Sequence, residues 1–200
     1  MLLKLTNKKI AFYPNEYSEL FEYATLNNTF DEFERKLIKT GISIFECDDE
    51  RNKFYGDAFE LFAELFFNNF QRDPHFGITN YIAVQEIDDY GVDAIGINPN
   101  NKNCAIQVKF RSNPNDPILY ADIAKTFTSA ILQIASVSSD VINYDSTIYL
   151  FSNSNNVSIA LKKVMGNKIV IVNRQTIKKY TNGNASFWDN ANKLVQYSLS

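Results

Sequence analysis

The chain has 200 residues, 45% of them apolar and 14% aromatic, enough to build a sizeable core and to exclude a disordered chain. Its net charge of −3 argues against a protein that coats nucleic acid without specificity. Lysines at positions 4, 8 and 9 rule out a signal peptide, no apolar stretch is long enough to span a membrane, and Cys47 and Cys104 are too far apart to suggest a disulfide framework or a metal-ligand pair, so a reducing, cytoplasmic setting is expected.

Residues 1–50 read as a mixed N-terminal appendage without a catalytic motif, and residues 51–200 as the main domain. Phe33 and Leu37 at i,i+4 predict a helix over Asp31–Ile38, capped by Thr29 or Asp31 and stopped by Gly41; Ile42–Glu46 has the composition of a short strand. The strongest helix spans residues 52–71. Tyr55, Phe59, Phe62, Phe66 and Phe70 run down its apolar side, and Asp57, Glu60, Glu64, Asn68 and Gln71 form a polar stripe. Asp73-Pro74 ends it. Strands are predicted over Thr79–Ile87, Gly91–Asn98 and Asn103–Arg111, the last two joined by the polar turn Pro99-Asn100-Asn101-Lys102. Pro114 and Pro117 precede a second long helix, Tyr120–Val137. Strand Thr147–Ser152, helix Val157–Met165, strand Lys168–Val172, helix Gln175–Tyr180 and a terminal helix Ser186–Tyr197 with the only tryptophan, Trp188, complete the chain. Short connections make the first three strands antiparallel, and the strands that follow helices add to a central mixed sheet flanked by helices.

The segment Tyr90–Ser112 carries the chemistry. Asp93 opens one strand, and Gln107 and Lys109 come near the end of the next. Alternation along a strand puts Gln107 and Lys109 on one face and sends Ile106, Val108 and Phe110 into a core on the other. An acid beside an amide and an amine makes a poor core, but it suits a divalent metal and a water held next to a phosphate. Phosphodiester hydrolysis needs an activated water and a cation against developing negative charge. Mg²⁺ prefers oxygen ligands and binds through one or two carboxylates. Asp93 is one expected ligand and Glu60, on the polar stripe, the second, with Glu64 in reserve and the Val108 carbonyl as a further oxygen. Lys109 is expected to orient or deprotonate the attacking water, and Gln107 to hold a metal-bound water or touch the metal. Arg111, on the same face as Lys109, is a candidate phosphate contact, as are Lys162 and Lys163 in a downstream basic cluster.

Each of these residues also has a bland reading. Asp93 alone is a turn cap, Lys109 a strand lysine with its head in solvent, and Glu60 and Glu64 the solvated face of an amphipathic helix. Glu86, Asp88 and Asp89 read as acids near the motif without a motif of their own. His75, the only histidine, follows a proline in a loop and is a candidate for a general base.

Taken together, Gly91-Val92-Asp93, a gap of 13 residues, Gln107-Val108-Lys109-Phe110, and the preceding helix with Gly56-Asp57-Ala58-Phe59-Glu60 resemble the PD-(D/E)xK nuclease superfamily. Within it the chain looks most like the Mrr-type restriction endonucleases, where Gln-x-Lys stands in place of Glu-x-Lys; the proline of the superfamily's name is absent before Asp93. The resemblance covers roughly Phe54–Lys179. It implies a restriction-endonuclease-like α/β fold with an αβββαβ core. It also implies a Mg²⁺-dependent endodeoxyribonuclease, with Mn²⁺ able to substitute, whose site is Glu60, Asp93, Gln107 and Lys109. Lys125 and Gln133 on the following helix would face that site. DNA is the implied partner, a homodimer would cut both strands, and a helicase, methyltransferase or recognition module, fused or separate, would supply specificity. The rival readings are a structure-specific, Holliday-junction-type resolvase with the same metal site and a non-catalytic DNA-binding module of the same fold. Retention of both Asp93 and Lys109 weighs against the latter.

Overall fold

The computed structural model describes residues 4–22, 28–84, 91–137 and 143–200. Its elements, in chain order, are a 3-10 turn at Lys8–Ala11, α1 (Pro14–Leu20), α2 (Phe30–Ile44), α3 (Asp48–Asn69), β1 (Thr79–Ala83), β2 (Ala94–Ile97), β3 (Asn103–Lys109), α4 (Ala124–Val137), β4 (Tyr144–Ser152), α5 (Ile159–Met165), β5 (Ile169–Val172), α6 (Arg174–Thr181) and α7 (Ala185–Leu199). The five strands form one sheet in the order β1-β2-β3-β4-β5. The first three are antiparallel neighbours, and β4 and β5 join in parallel. α3, β1, β2, β3, α4 and β4 therefore reproduce the αβββαβ order of a restriction-endonuclease-like fold.

Strand alternation divides the core between the two faces of the sheet. Ile106 and Val108 of β3, with Tyr149 and Phe151 of β4, face α3 and the helices around it. Ile148 and Leu150 of β4 face Phe127, Leu161 and Met165, from α4 and α5, and Ala105 of β3 faces Ala130 of α4. On the α3 side the core is aromatic. Phe62 lies among Phe30, Phe33, Phe151, Phe187 and Trp188, with ring centroids 4.6 to 6.2 Å away. Tyr17, Phe30, Phe33 and Leu37 belong to this same core, so the described part of residues 1–50 packs as one body with the sheet.

Two expectations in this N-terminal region are corrected. α2 is capped by Thr29, whose hydroxyl accepts from the Glu32 N–H at 3.2 Å, but it does not stop at Gly41. It runs to Ile44, and the short strand expected at Ile42–Glu46 is its last turn and the exit from it. The reason lies in α3. A Cβ on Gly41 would sit 2.3 Å from Cε1 of Tyr55, so the glycine lets the two helices approach closely and does not end the first. The Tyr55 ring is buried and its hydroxyl donates to the Ile38 carbonyl at 3.1 Å, which leaves it little room to withdraw. Gly41→Ala is expected to destabilise the fold by about 1–3 kcal/mol through overpacking, even though alanine is the better helix former. Urea denaturation measures this directly, and a variant as stable as the wild type would show that Tyr55 swings aside.

The polar stripe of α3 is not a solvated face: Asp57 is 4% exposed and Glu64 is fully buried. Residues 6–9 lie across it.

Candidate active site

The chain enters β2 through Gly91, whose φ of +68° lies in the left-handed region. The aliphatic stem of Lys125, on α4, lies 3.2 Å from the point a Cβ would occupy there, so glycine also makes room for α4. Asp93 is then pinned on both sides by the backbone. Its N–H donates to the Ile106 carbonyl at 3.0 Å and its carbonyl accepts from the Val84 N–H at 2.9 Å. Its side chain turns to β3, where Oδ2 accepts from the Val108 N–H at 2.6 Å and from Gln107 Nε2.

Gln107 is 2% exposed, and both ends of its amide are engaged. Nε2 faces Asp93, while Oε1 accepts from the Thr126 hydroxyl of α4, which also lies against the Gly91 carbonyl. With an acid on one side and a hydroxyl on the other, only one orientation of the amide satisfies both. Thr126 thus completes a chain from α4 through Gln107 to Asp93. It carries no sequence signal, since a threonine within a helix stands out from nothing around it.

Lys109 ends β3 on the same side, half-buried, with its carbonyl accepting from Ser152 Oγ at 2.7 Å. Burial pushes the Asp122 carboxyl up, but the Leu119 N–H, the Arg111 guanidinium and the Lys109 charge together hold it below the usual carboxylate value. Arg111 is paired with Asp122. Any phosphate it meets would share it with that acid. Its backbone is gripped by Asn153, which accepts from the Arg111 N–H at 2.6 Å and donates to the Arg111 carbonyl and to Glu34 Oε1, both at 2.8 Å. Asn153 follows β4 directly and is fully buried, and that burial gives it this role.

Glu60 points into the region between α3 and the N-terminal segment. Its Oε1 accepts from Lys9 Nζ at 2.9 Å, and its Oε2 accepts from Asn7 Nδ2 at 3.5 Å, the outer limit of a hydrogen bond. Burial raises its pKa to about 7, the Asp93 charge adds to the rise, and Lys9 opposes it. Asp93 and Glu60 are therefore within electrostatic reach of each other. For Lys9, burial disfavours the charge, yet Glu60 and Asp57 more than compensate and hold the ammonium above its usual pKa.

Glu64, the reserve ligand, is taken up by the backbone. It accepts from the Thr6 N–H at 2.5 Å, the Thr6 hydroxyl at 2.8 Å and the Asn7 N–H at 3.0 Å. Burial raises its pKa and these three donors oppose the rise. It is neither a solvated acid nor an open ligand; it docks the N-terminal segment onto α3. Glu64→Ala removes the acceptor of the buried Asn7 N–H and of the half-buried Thr6 N–H and is expected to cost about 2–4 kcal/mol. Limited proteolysis is expected to cut the variant first within residues 1–22. A loss under about 0.5 kcal/mol in urea denaturation would mean that water replaces the carboxylate without penalty.

The remaining candidates lie apart from this group or outside the described residues. His75 is exposed in the turn after α3, where its N–H donates to Asp73 Oδ1 at 2.8 Å. Lys162 and Lys163 are exposed on α5, and Lys125 is exposed on α4 with its stem over Gly91. Glu86, Asp88, Asp89 and the Gln133 side chain lie outside the described residues. Among the described residues, no three or more His, Cys, Asp or Glu side chains are grouped to hold a metal, and no helix is long and apolar enough to cross a membrane. Cys47 and Cys104 are both free.

No family model matches the chain, and no curated protein matches it. Among solved structures the chain is similar to the DNA modification-dependent restriction endonuclease AspBHI, at 14% identity and a TM-score of 0.49, over 99% of this chain and 44% of that one. The chain thus spans less than half the length of that protein, and a likeness at this level assigns no role to any residue of the present site.

Proposed function

We propose that the chain is a Mg²⁺-dependent endonuclease acting on DNA, with Asp93, Glu60, Gln107 and Lys109 as its working residues. The observation that carries this reading is the Asp93 carboxylate, held by Gln107 and the Val108 N–H at the end of β3, with Lys109 next on the same strand face. That place lies at the carboxyl end of β3, where it runs parallel to β4, the end at which open α/β sheets bind ligands.

The donor set fits Mg²⁺. Asp93 and Glu60 supply two carboxylates, and the Asp93 charge raises the cost of ionising Glu60, a strain that a divalent cation relieves. The backbone of Val108 already lies against Asp93, so its carbonyl is the third proposed oxygen. Two carboxylates with a carbonyl, leaving room for waters, is a normal Mg²⁺ environment and does not need three acids together. Bound there, the cation would lower the pKa of a water and neutralise charge on the phosphate.

The protein's own groups do the rest. Gln107, fixed by Thr126, keeps the Asp93 carboxylate in one orientation. Lys109 orients the attacking water and faces the phosphate as negative charge builds. Arg111 and Lys125 flank the site as phosphate contacts, and Lys162 and Lys163 are proposed to extend that contact along the DNA. The Gln-x-Lys form favours the Mrr-like branch. A homodimer, a partner or fused helicase, methyltransferase or recognition domain, and a cytoplasmic setting all accompany this reading.

The test is cleavage of supercoiled plasmid, and of a four-way junction beside linear duplex, with Mg²⁺ or Mn²⁺ and with EDTA. Metal-dependent nicking or linearisation is expected. Preference for the junction would move the reading to a resolvase. Binding of DNA without cleavage of any substrate would move it to a non-catalytic module.

A further inference from the structure

α3 carries a second acidic position beside Glu60. Asp57 and Glu60 are three residues apart, neighbours on the surface of a helix. Lys9 Nζ lies 2.9 Å from Asp57 Oδ1 and 2.9 Å from Glu60 Oε1, bridging the two acids. Asp57 Oδ2 is buried and has no hydrogen-bond partner among the described residues, and the same holds for the Tyr17 hydroxyl. Tyr17 is close enough for the Asp57 and Glu60 charges to add to the effect of burial on its phenol. A buried carboxylate oxygen without a donor is satisfied well by a cation. A lysine ammonium is a compact point charge that lies where such a cation would lie.

We propose that the Lys9 ammonium occupies what is otherwise a second divalent-cation position, made by Asp57 and Glu60, and so limits the chain to one metal, at Asp93. The position is hard and oxygen-only, suited to Mg²⁺ or Mn²⁺. The inference shares Glu60 with the reading above, but it rests on the Lys9 bridge and the unpartnered Asp57 oxygen. It gives the N-terminal segment a chemical role: Glu64 docks the segment, and docking delivers Lys9.

The test counts bound Mn²⁺ on the full chain by electron paramagnetic resonance of the free ion, and does not depend on cleavage. Lys9→Met is expected to bind one more Mn²⁺ per chain than the wild type, and Lys9→Met/Asp57→Asn to lose that extra ion. Equal stoichiometry in the wild type and Lys9→Met overturns the proposal, as does an extra ion that survives Asp57→Asn. If Lys9→Met is unfolded without metal, saturating Mn²⁺ is expected to restore its far-UV circular dichroism, since a cation that binds only the folded chain stabilises it. Failure to do so also overturns the proposal. Absence of Mn²⁺ from the wild type overturns the one-metal reading at Asp93, and the gain or lack of gain in Lys9→Met still decides the role of Lys9.

Discussion

Asp93→Asn is expected to lower the rate of metal-dependent plasmid nicking by about 10³-fold or more, roughly 4 kcal/mol of transition-state stabilisation. The substitution preserves shape. An asparagine oxygen can still accept from the Val108 N–H, now made at 2.6 Å, and the backbone bonds to Ile106 and Val84 do not involve the side chain. The negative charge is lost. A cation held by Asp93 and Glu60 would keep one carboxylate of two, so Mn²⁺ binding is expected to weaken together with cleavage. The melting temperature serves as the control. If Asp93→Asn cleaves within about tenfold of the wild type, with the same metal requirement and the same stability, Asp93 is a turn residue and the site lies elsewhere.

Lys109→Met is expected to separate metal binding from turnover. Methionine keeps most of the unbranched stem and removes the charge. Lys109 is held at the end of β3 by its backbone, including the bond from Ser152 Oγ to its carbonyl at 2.7 Å, so the change leaves the strand in place. Mn²⁺ affinity is expected to stay within a few-fold of wild type or to rise, because a positive charge has been removed. The cleavage rate is expected to fall by about 10²–10⁴-fold, the usual range for a group that handles a water or a proton in the transition state. Loss of metal binding together with activity would make Lys109 structural. Unchanged activity would remove it from the mechanism and turn attention to Asp122 and Arg111, which lie on the same side.

Much of this architecture was legible in the residues. The alternation in Asn103–Arg111 placed Ile106 and Val108 in the core and Gln107 and Lys109 on the other face, as observed. Short connections made β1, β2 and β3 antiparallel, and the strands that follow helices joined them in one mixed sheet. These features are local: strand period, turn chemistry and connection length act over a few residues. The Asn98–Lys102 turn shows how local. The Asn98 side chain accepts from the N–H groups of Asn100 and Lys102, both at 3.0 Å, and Asn101 takes a φ of 59°.

What sequence could not decide was which polar groups meet across long separations. Glu60 and Glu64 look alike on the stripe of α3, one turn apart. The tertiary structure divides them, giving Glu64 to the backbone of Thr6 and Asn7 and leaving Glu60 between Lys9 and the charge of Asp93. Gly41 reads as a helix stop, yet it permits a close helix crossing because Tyr55 arrives there from α3. Thr126 reads as nothing, yet it fixes Gln107. A side chain's local pattern sets its element and its face. Its chemical role depends on desolvation and on the partner that burial brings to it, and both belong to the assembled core.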